Sequence, residues 1–104
     1  MANICDNKFY ITCDDSKILD AIVTKLNQTF NYLDGEITYI DQNSIEGYFD
    51  SKWNFPEHIF KNFFDEFNDD TIYMRCLSEE YGCNYVVMNI YEDKSWKSEQ
   101  TFDL

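Results

Sequence analysis

The sequence is poor in several things at once. Its 104 residues include one proline and three glycines. So little of either leaves no room for a flexible linker or for a Gly-rich loop that cradles phosphate. Histidine also occurs once. Any chemistry that needs an imidazole base must use His58, which reads as a surface residue in the first turn of a helix. Basic residues are scarce: 8 Lys and Arg stand against 20 Asp and Glu, for a formal net charge of -12. Nucleic-acid affinity is built largely from Lys and Arg neutralising phosphates, so direct binding of DNA or RNA is not expected. No apolar run approaches the roughly 20 residues a membrane helix requires. The opening residues, MANICDNKFY, lack the basic start and apolar stretch of a signal peptide. These absences predict a soluble, cytoplasmic protein with no membrane partner. The four cysteines, Cys5, Cys13, Cys76 and Cys83, contain no Cys-x-x-Cys pair. They read as reduced thiols filling small apolar gaps, with no metal, no disulfide and no cofactor.

What is present is a core. Hydrophobic residues make up 44% of the chain and aromatic residues 18%, too much apolar surface for a disordered segment. The length suits one domain spanning residues 1–104. Residues 8–14 alternate, with Phe9, Ile11 and Cys13 on one side and Tyr10 and Thr12 on the other, as in a half-buried strand. The period then changes. Leu19, Ile22, Val23, Leu26 and Phe30 recur at helical spacing after a cap at Asp15 or Ser16. Residues 31–36 read as a turn with Gly35 in the left-handed region. Strands are predicted over 36–41 and 45–53, joined at 41–44. Pro56 starts a second helix capped by Asn54, and Ile59, Phe60, Phe63, Phe64 and Phe67 give it a wide apolar stripe. Strands over 71–78 and 83–91 flank a turn at 79–82, and 96–102 adds a short edge strand. Phe9, Ile11, Leu19, Val23, Leu26, Phe60, Phe63, Phe64 and Phe67 are the expected core.

The order β-α-β-β-α-β with one or two further strands predicts an α+β, ferredoxin-like split β-α-β plait. Its antiparallel sheet carries two helices on one face. Residues 46–90 also resemble the YubB/Api92-like ferredoxin-like domain of small plasmid and phage proteins. The resemblance rests on Ser51, Trp53 and Pro56, then on Glu79, Glu80 and Gly82. It implies the plait and a mobile-element setting, and it carries no catalytic residues.

No carboxylate pair has a companion that singles it out for acid–base work. Tyr10, Tyr39, Tyr48 and Tyr73 are placed for the open sheet face. RNA-recognition sheets use aromatics in this way, but they supply basic companions that are nearly absent here. An aromatic face with acidic rims suits a protein partner, or a second copy of the chain, since Tyr is favoured at interfaces. Asp65, Glu66, Asp69 and Asp70 crowd the predicted C-terminal end of the second helix, where carboxylates oppose the macrodipole. That placement predicts that neutralising them leaves stability unchanged or slightly higher. The expected function is a non-enzymatic module that binds a basic, nucleic-acid-binding protein. It would inhibit that protein as a nucleic-acid mimic through Asp65, Glu66, Asp69, Asp70, Glu79, Glu80, Tyr48 and Tyr73. The other readings are a small-ligand binder or enzyme using the sheet face, and an accessory protein.

Overall fold

The computed structural model describes residues 4–80, 82 and 85–100. Cys83, and the part of the 96–102 strand beyond residue 100, lie outside the described residues. The fold is α+β, with a six-stranded antiparallel sheet and two helices. The strands are β1 (Ile4–Thr12), β2 (Asp34–Ile40), β3 (Ser44–Lys52), β4 (Tyr73–Glu80), β5 (Tyr85–Glu92) and β6 (Ser95–Gln100). They lie side by side in the order β2-β3-β1-β4-β5-β6.

Strand β1 is paired on both edges, by β3 and β4, and its faces alternate: Cys5, Asn7, Phe9 and Ile11 are buried, and Asp6 and Lys8 between them are exposed. Helix α1 (Ser16–Thr29) starts where Asp15 caps it, its carboxylate accepting from the Lys17 and Ile18 amides at 2.9 and 3.3 Å. Leu19, Ile22 and Leu26 fall on one stripe and are buried. They join Phe9, Ile11, Ile45, Phe49, Met74 and Tyr91 of the strands, and Phe55, Phe60, Phe63 and Phe64, in one core. Val23 and Phe67, expected inside, are only partly buried at its margin.

The second helix is shorter than its apolar stripe predicts. Helix α2 covers only Glu57–Phe60, and a 3-10 turn follows at Asp65–Phe67. Phe60, Phe63 and Phe64 are all buried, with neighbouring rings 5.0–5.1 Å apart. Phe and Asn are weak helix formers, so burying adjacent rings overrides the helical period after Lys61. Asn54 does not cap α2. Pro56 occupies the cap position with no side-chain bond, and the Asn54 carbonyl accepts from Ser51 Oγ at 2.7 Å.

Two further expectations change. Gly35 does not adopt positive φ; it lies in β2, where a Cβ would sit 2.7 Å from both the Phe30 ring and Phe49 Cβ. It is needed for close approach, not for a turn. Glu79 and Glu80 belong to β4 rather than to a turn. The β5–β6 hairpin turns on Asp93 and Lys94, both at positive φ (51° and 61°), the signs of a type I′ turn.

Candidate partner-binding face

Alternation and register together decide what the exposed side of the sheet carries. Asp6 pairs with Asp50 on β3 and with Glu79 on β4, and Asp50 pairs with Asp34 on β2. Asp34, Asp50, Asp6 and Glu79 therefore form one row across four neighbouring strands. Strands lie about 4.8 Å apart, so the row spans about 14 Å. The next row reads Glu36, Tyr48, Lys8, Leu77 and Met88, and the one after it Tyr39, Glu46, Tyr10, Arg75 and Ile90. A bulge between Ile37 and Tyr39 keeps the second tyrosine in this series. All these side chains alternate with the core positions.

The row is electrostatically loaded. Like charges directly opposite one another on adjacent strands repel. Burial pushes the Asp50 carboxyl above the ordinary carboxylate value, and the neighbouring Asp6 and Asp34 charges and a hydrogen bond with Asp6 push it further. Asp6, Lys8, Tyr48, Asp50, Leu77 and Glu79 line a cleft of about 280 Å3 beside this row. The tyrosines are held in place from the side. Tyr48 donates to Glu36 at 3.0 Å and Tyr39 to Asp41 at 3.2 Å, while Arg75 lies over the Tyr10 ring, 4.5 Å from its centroid. Tyr39 and Tyr48 remain 50% and 44% exposed, and the neighbouring carboxylates that accept their hydroxyls raise both phenols.

The site residues expected from sequence separate into three places. Tyr48 and Glu79 share the cleft, and Tyr73 sits opposite Thr12 at the far end of the same face. Glu80 points the other way. It is 3% exposed and accepts from the Gly82 amide at 2.8 Å, so it cannot serve as a rim charge. Asp65, Glu66, Asp69 and Asp70 lie in the connection between α2 and β4, not at the end of a long helix. Asp69 is internal to that connection, accepting from Thr71 N at 2.7 Å and Thr71 Oγ1 at 2.6 Å, with Cys13 Sγ at 3.9 Å. The Thr71 hydrogen bonds hold its carboxyl below the usual value. Glu66 pairs with Lys25. The macrodipole argument for this cluster therefore fails, because no long helix ends there and two of the four carboxylates already have partners.

Sequence reasoning misses Asp6, Asp34 and Asp50. Their signal is the shared parity of Asp6 with Lys8 and Tyr10, and of Asp50 with Tyr48, once the strands are aligned.

Burial pushes up the thiols of Cys5 and Cys13, and that of Cys76 to about 12, so all three stay protonated and poorly nucleophilic. Among the described residues no group of three His, Cys, Asp or Glu side chains is placed to hold a metal ion. No helix among the described residues is long and apolar enough to cross a membrane. No family model, curated protein or solved structure matches the chain.

Proposed function

We propose that this chain is a cytoplasmic protein-binding module whose exposed sheet face engages a basic surface on its partner. The fold we read is a ferredoxin-like plait, β4-β1-β3-β2, with both helices on one face and β5 and β6 added beyond β4. The observation that carries the reading is the carboxylate row Asp34–Asp50–Asp6–Glu79 with Tyr48 beside it. A row of like charges stored against mutual repulsion gains most when a cation arrives. Lys or Arg side chains from a partner would supply it, and exposed tyrosines would supply contact area at low entropic cost.

A surface that attracts this row is one built to hold phosphates. The sharper form of the proposal is therefore an inhibitor of a nucleic-acid-binding protein, acting as a nucleic-acid mimic. The resemblance to YubB/Api92-like proteins supports a phage or plasmid setting. Glu79, Tyr48 and Tyr73 keep their expected role in this reading, and the principal charges shift from the 65–70 segment to Asp6, Asp34 and Asp50.

The test is capture of partners from lysate at low and high salt, with wild type beside an Asp6→Asn/Asp50→Asn variant. Steep loss of capture with salt and with the variant is expected. Capture that is indifferent to both would overturn the proposal.

A further inference from the structure

Two asparagines are buried on the core side of the sheet, and they differ sharply. Asn7 is 1% exposed and fully used: its amide donates to Cys5 O, Phe49 O and Ser51 Oγ, and its oxygen accepts from Ser78 Oγ. Asn89 is 6% exposed, and among the described residues its side chain makes no hydrogen bond. It sits in β5 between Cys76 and Ser98 of the neighbouring strands. The residue is buried as a whole, but its carboxamide is not sealed in: the amide atoms still reach solvent and are free to take a partner. The Asn89 side chain opens into a groove of about 510 Å3 between the Phe55–Lys61 segment and strands β5 and β6. That volume is in the range of small-molecule sites.

The rest of the groove is differentiated. Phe55 and Trp96 form an aromatic wall, their ring centroids 5.7 Å apart. Trp96 is fixed by its indole N–H, which donates to Phe60 O at 3.1 Å. At the mouth stand Glu57, His58, Lys61 and Ser98. Lys61 forms no ion pair among the described residues. In a chain of net charge -12, a cation without an ion pair beside an amide free to bond into the groove is a specific combination.

We propose that this groove binds a small planar heteroaromatic anion of the nucleotide type. The Asn89 carboxamide offers donors and an acceptor side by side, the pattern that matches the edge of a nucleobase. Trp96 supplies a stacking surface for the ring. Lys61 and His58 receive the anionic substituent, and the Glu57 carboxylate accepts from sugar hydroxyls. The site is separate from the acidic sheet face, and it stands or falls independently of it.

The test uses the full chain carrying Trp53→Phe, which leaves Trp96 as the sole tryptophan of the two. It is titrated with AMP, GMP, CMP and UMP, and with ribose 5-phosphate as a ring-free control. Saturable quenching of Trp96 by at least one nucleotide, and none by ribose 5-phosphate, is expected. Asn89→Leu should weaken that binding about tenfold or more. Lys61→Ala should weaken the nucleotide several-fold while leaving the matching nucleoside unchanged. Should Asn89→Leu not fold, the side-chain amide resonance of Asn89 in the otherwise unaltered chain decides, and it must shift on titration. Absence of saturable quenching by all four nucleotides, binding indifferent to Asn89→Leu, or an unmoved Asn89 resonance overturns the proposal.

Discussion

Lys25 in α1 reaches across to Glu66 in the 3-10 turn, its Nζ 2.5 Å from the Glu66 carboxylate. The same ammonium donates to the Phe63 carbonyl at 2.5 Å and lies over the Phe63 and Phe67 rings, 4.5 and 5.6 Å from their centroids. One cation thus ties the long helix to the segment where the second helix breaks off. It answers an unpaired carbonyl as well as a carboxylate.

Lys25→Met keeps the stem and removes the charge. It should destabilise the fold by about 1–2 kcal/mol, since a charge-assisted bond to a partly buried carbonyl is lost. Glu66→Gln should cost less than about 1 kcal/mol, because the pair is partly exposed and screened. The variant with Asp65, Glu66, Asp69 and Asp70 all neutralised should melt lower than wild type, mainly through Asp69. That side chain turns the chain into β4 by accepting from Thr71, a local cap worth about 1 kcal/mol. A thermal melt of the fourfold variant equal to or above wild type would show that these bonds contribute nothing.

The Asp50 carboxyl gives a pH signature of opposite sign. Its value is raised by burial and by Asp6 and Asp34, so the folded state holds this proton more tightly than the unfolded chain. Its destabilisation is complete above the raised value. It disappears as pH falls toward 3.8, its ordinary value. Asp50→Asn should therefore stabilise the protein at pH 7, by about 0.5 kcal/mol for a relieved cross-strand repulsion. The advantage should vanish near the ordinary value. Denaturant melts of both proteins from pH 4 to 8 would reveal it, and parallel curves across that range would refute it. Asp69, held low by Thr71, works in the other direction. Its contribution is present above 3.8 and is lost only as pH falls through the depressed value.

Glycine tests the core from the backbone side. Gly35 and Gly47 both lie on the aromatic side of the sheet, opposite Phe49 and Phe9 respectively. The Phe9, Phe30 and Phe49 rings meet there with centroids 6.0–6.3 Å apart. A Cβ at Gly35 would meet the Phe30 ring, which can shift, and Phe49 Cβ, which cannot. A Cβ at Gly47 would run into the Glu36 carbonyl oxygen and lie 2.6 Å from Phe9 Cζ. Gly35→Ala should cost about 1–3 kcal/mol by overpacking. Gly47→Ala should cost more, because only a shift of β2 against β3 relieves it. Unfolding midpoints in the reverse order would contradict this account.

These glycines mark where legibility ends. The order of elements, the Asp15 cap and the burial of Phe9, Ile11, Leu19 and Phe60 are readable, because period and capping are local properties. The break after Lys61 is not, since Phe63 and Phe64 hold helical positions yet answer to tertiary packing. Gly35 reads as a turn residue because its real constraint, the Phe30 ring, comes from a different element. The acidic row is invisible for the same reason. Asp6, Asp34, Asp50 and Glu79 lie far apart in sequence and meet only through strand register, which a single strand does not declare.

Asn7 is the least expected core residue and gives the sharpest test. It sits in the central strand at 1% exposure, between β3 and β4. Its amide bonds Phe49 O and Ser51 Oγ of β3 at 3.1 and 2.9 Å, and Ser78 Oγ of β4 donates to its oxygen at 2.6 Å. Ser51 passes the chain on to the Asn54 carbonyl, where the backbone leaves β3 through Trp53 at φ 72°. The network therefore braces a strained, bulky residue at the strand-to-helix junction. Asn7→Ala should cost about 2–4 kcal/mol, since it opens a space, takes the acceptor from the buried Ser78 hydroxyl and removes a donor from Ser51 Oγ. Ser78→Ala alone should cost about 1 kcal/mol, and the double variant should cost less than the sum, because both removals break one network. Asn7→Asp isolates the electrical part. It keeps the shape but aims a carboxylate at the Cys5 and Phe49 carbonyls, which donate nothing. The variant should be strongly destabilised at pH 7 and recover as acid protonates the new carboxyl. Wild-type stability of the Asn7→Asp variant at pH 7 would mean that water reaches this site, and that the network is not what holds the junction.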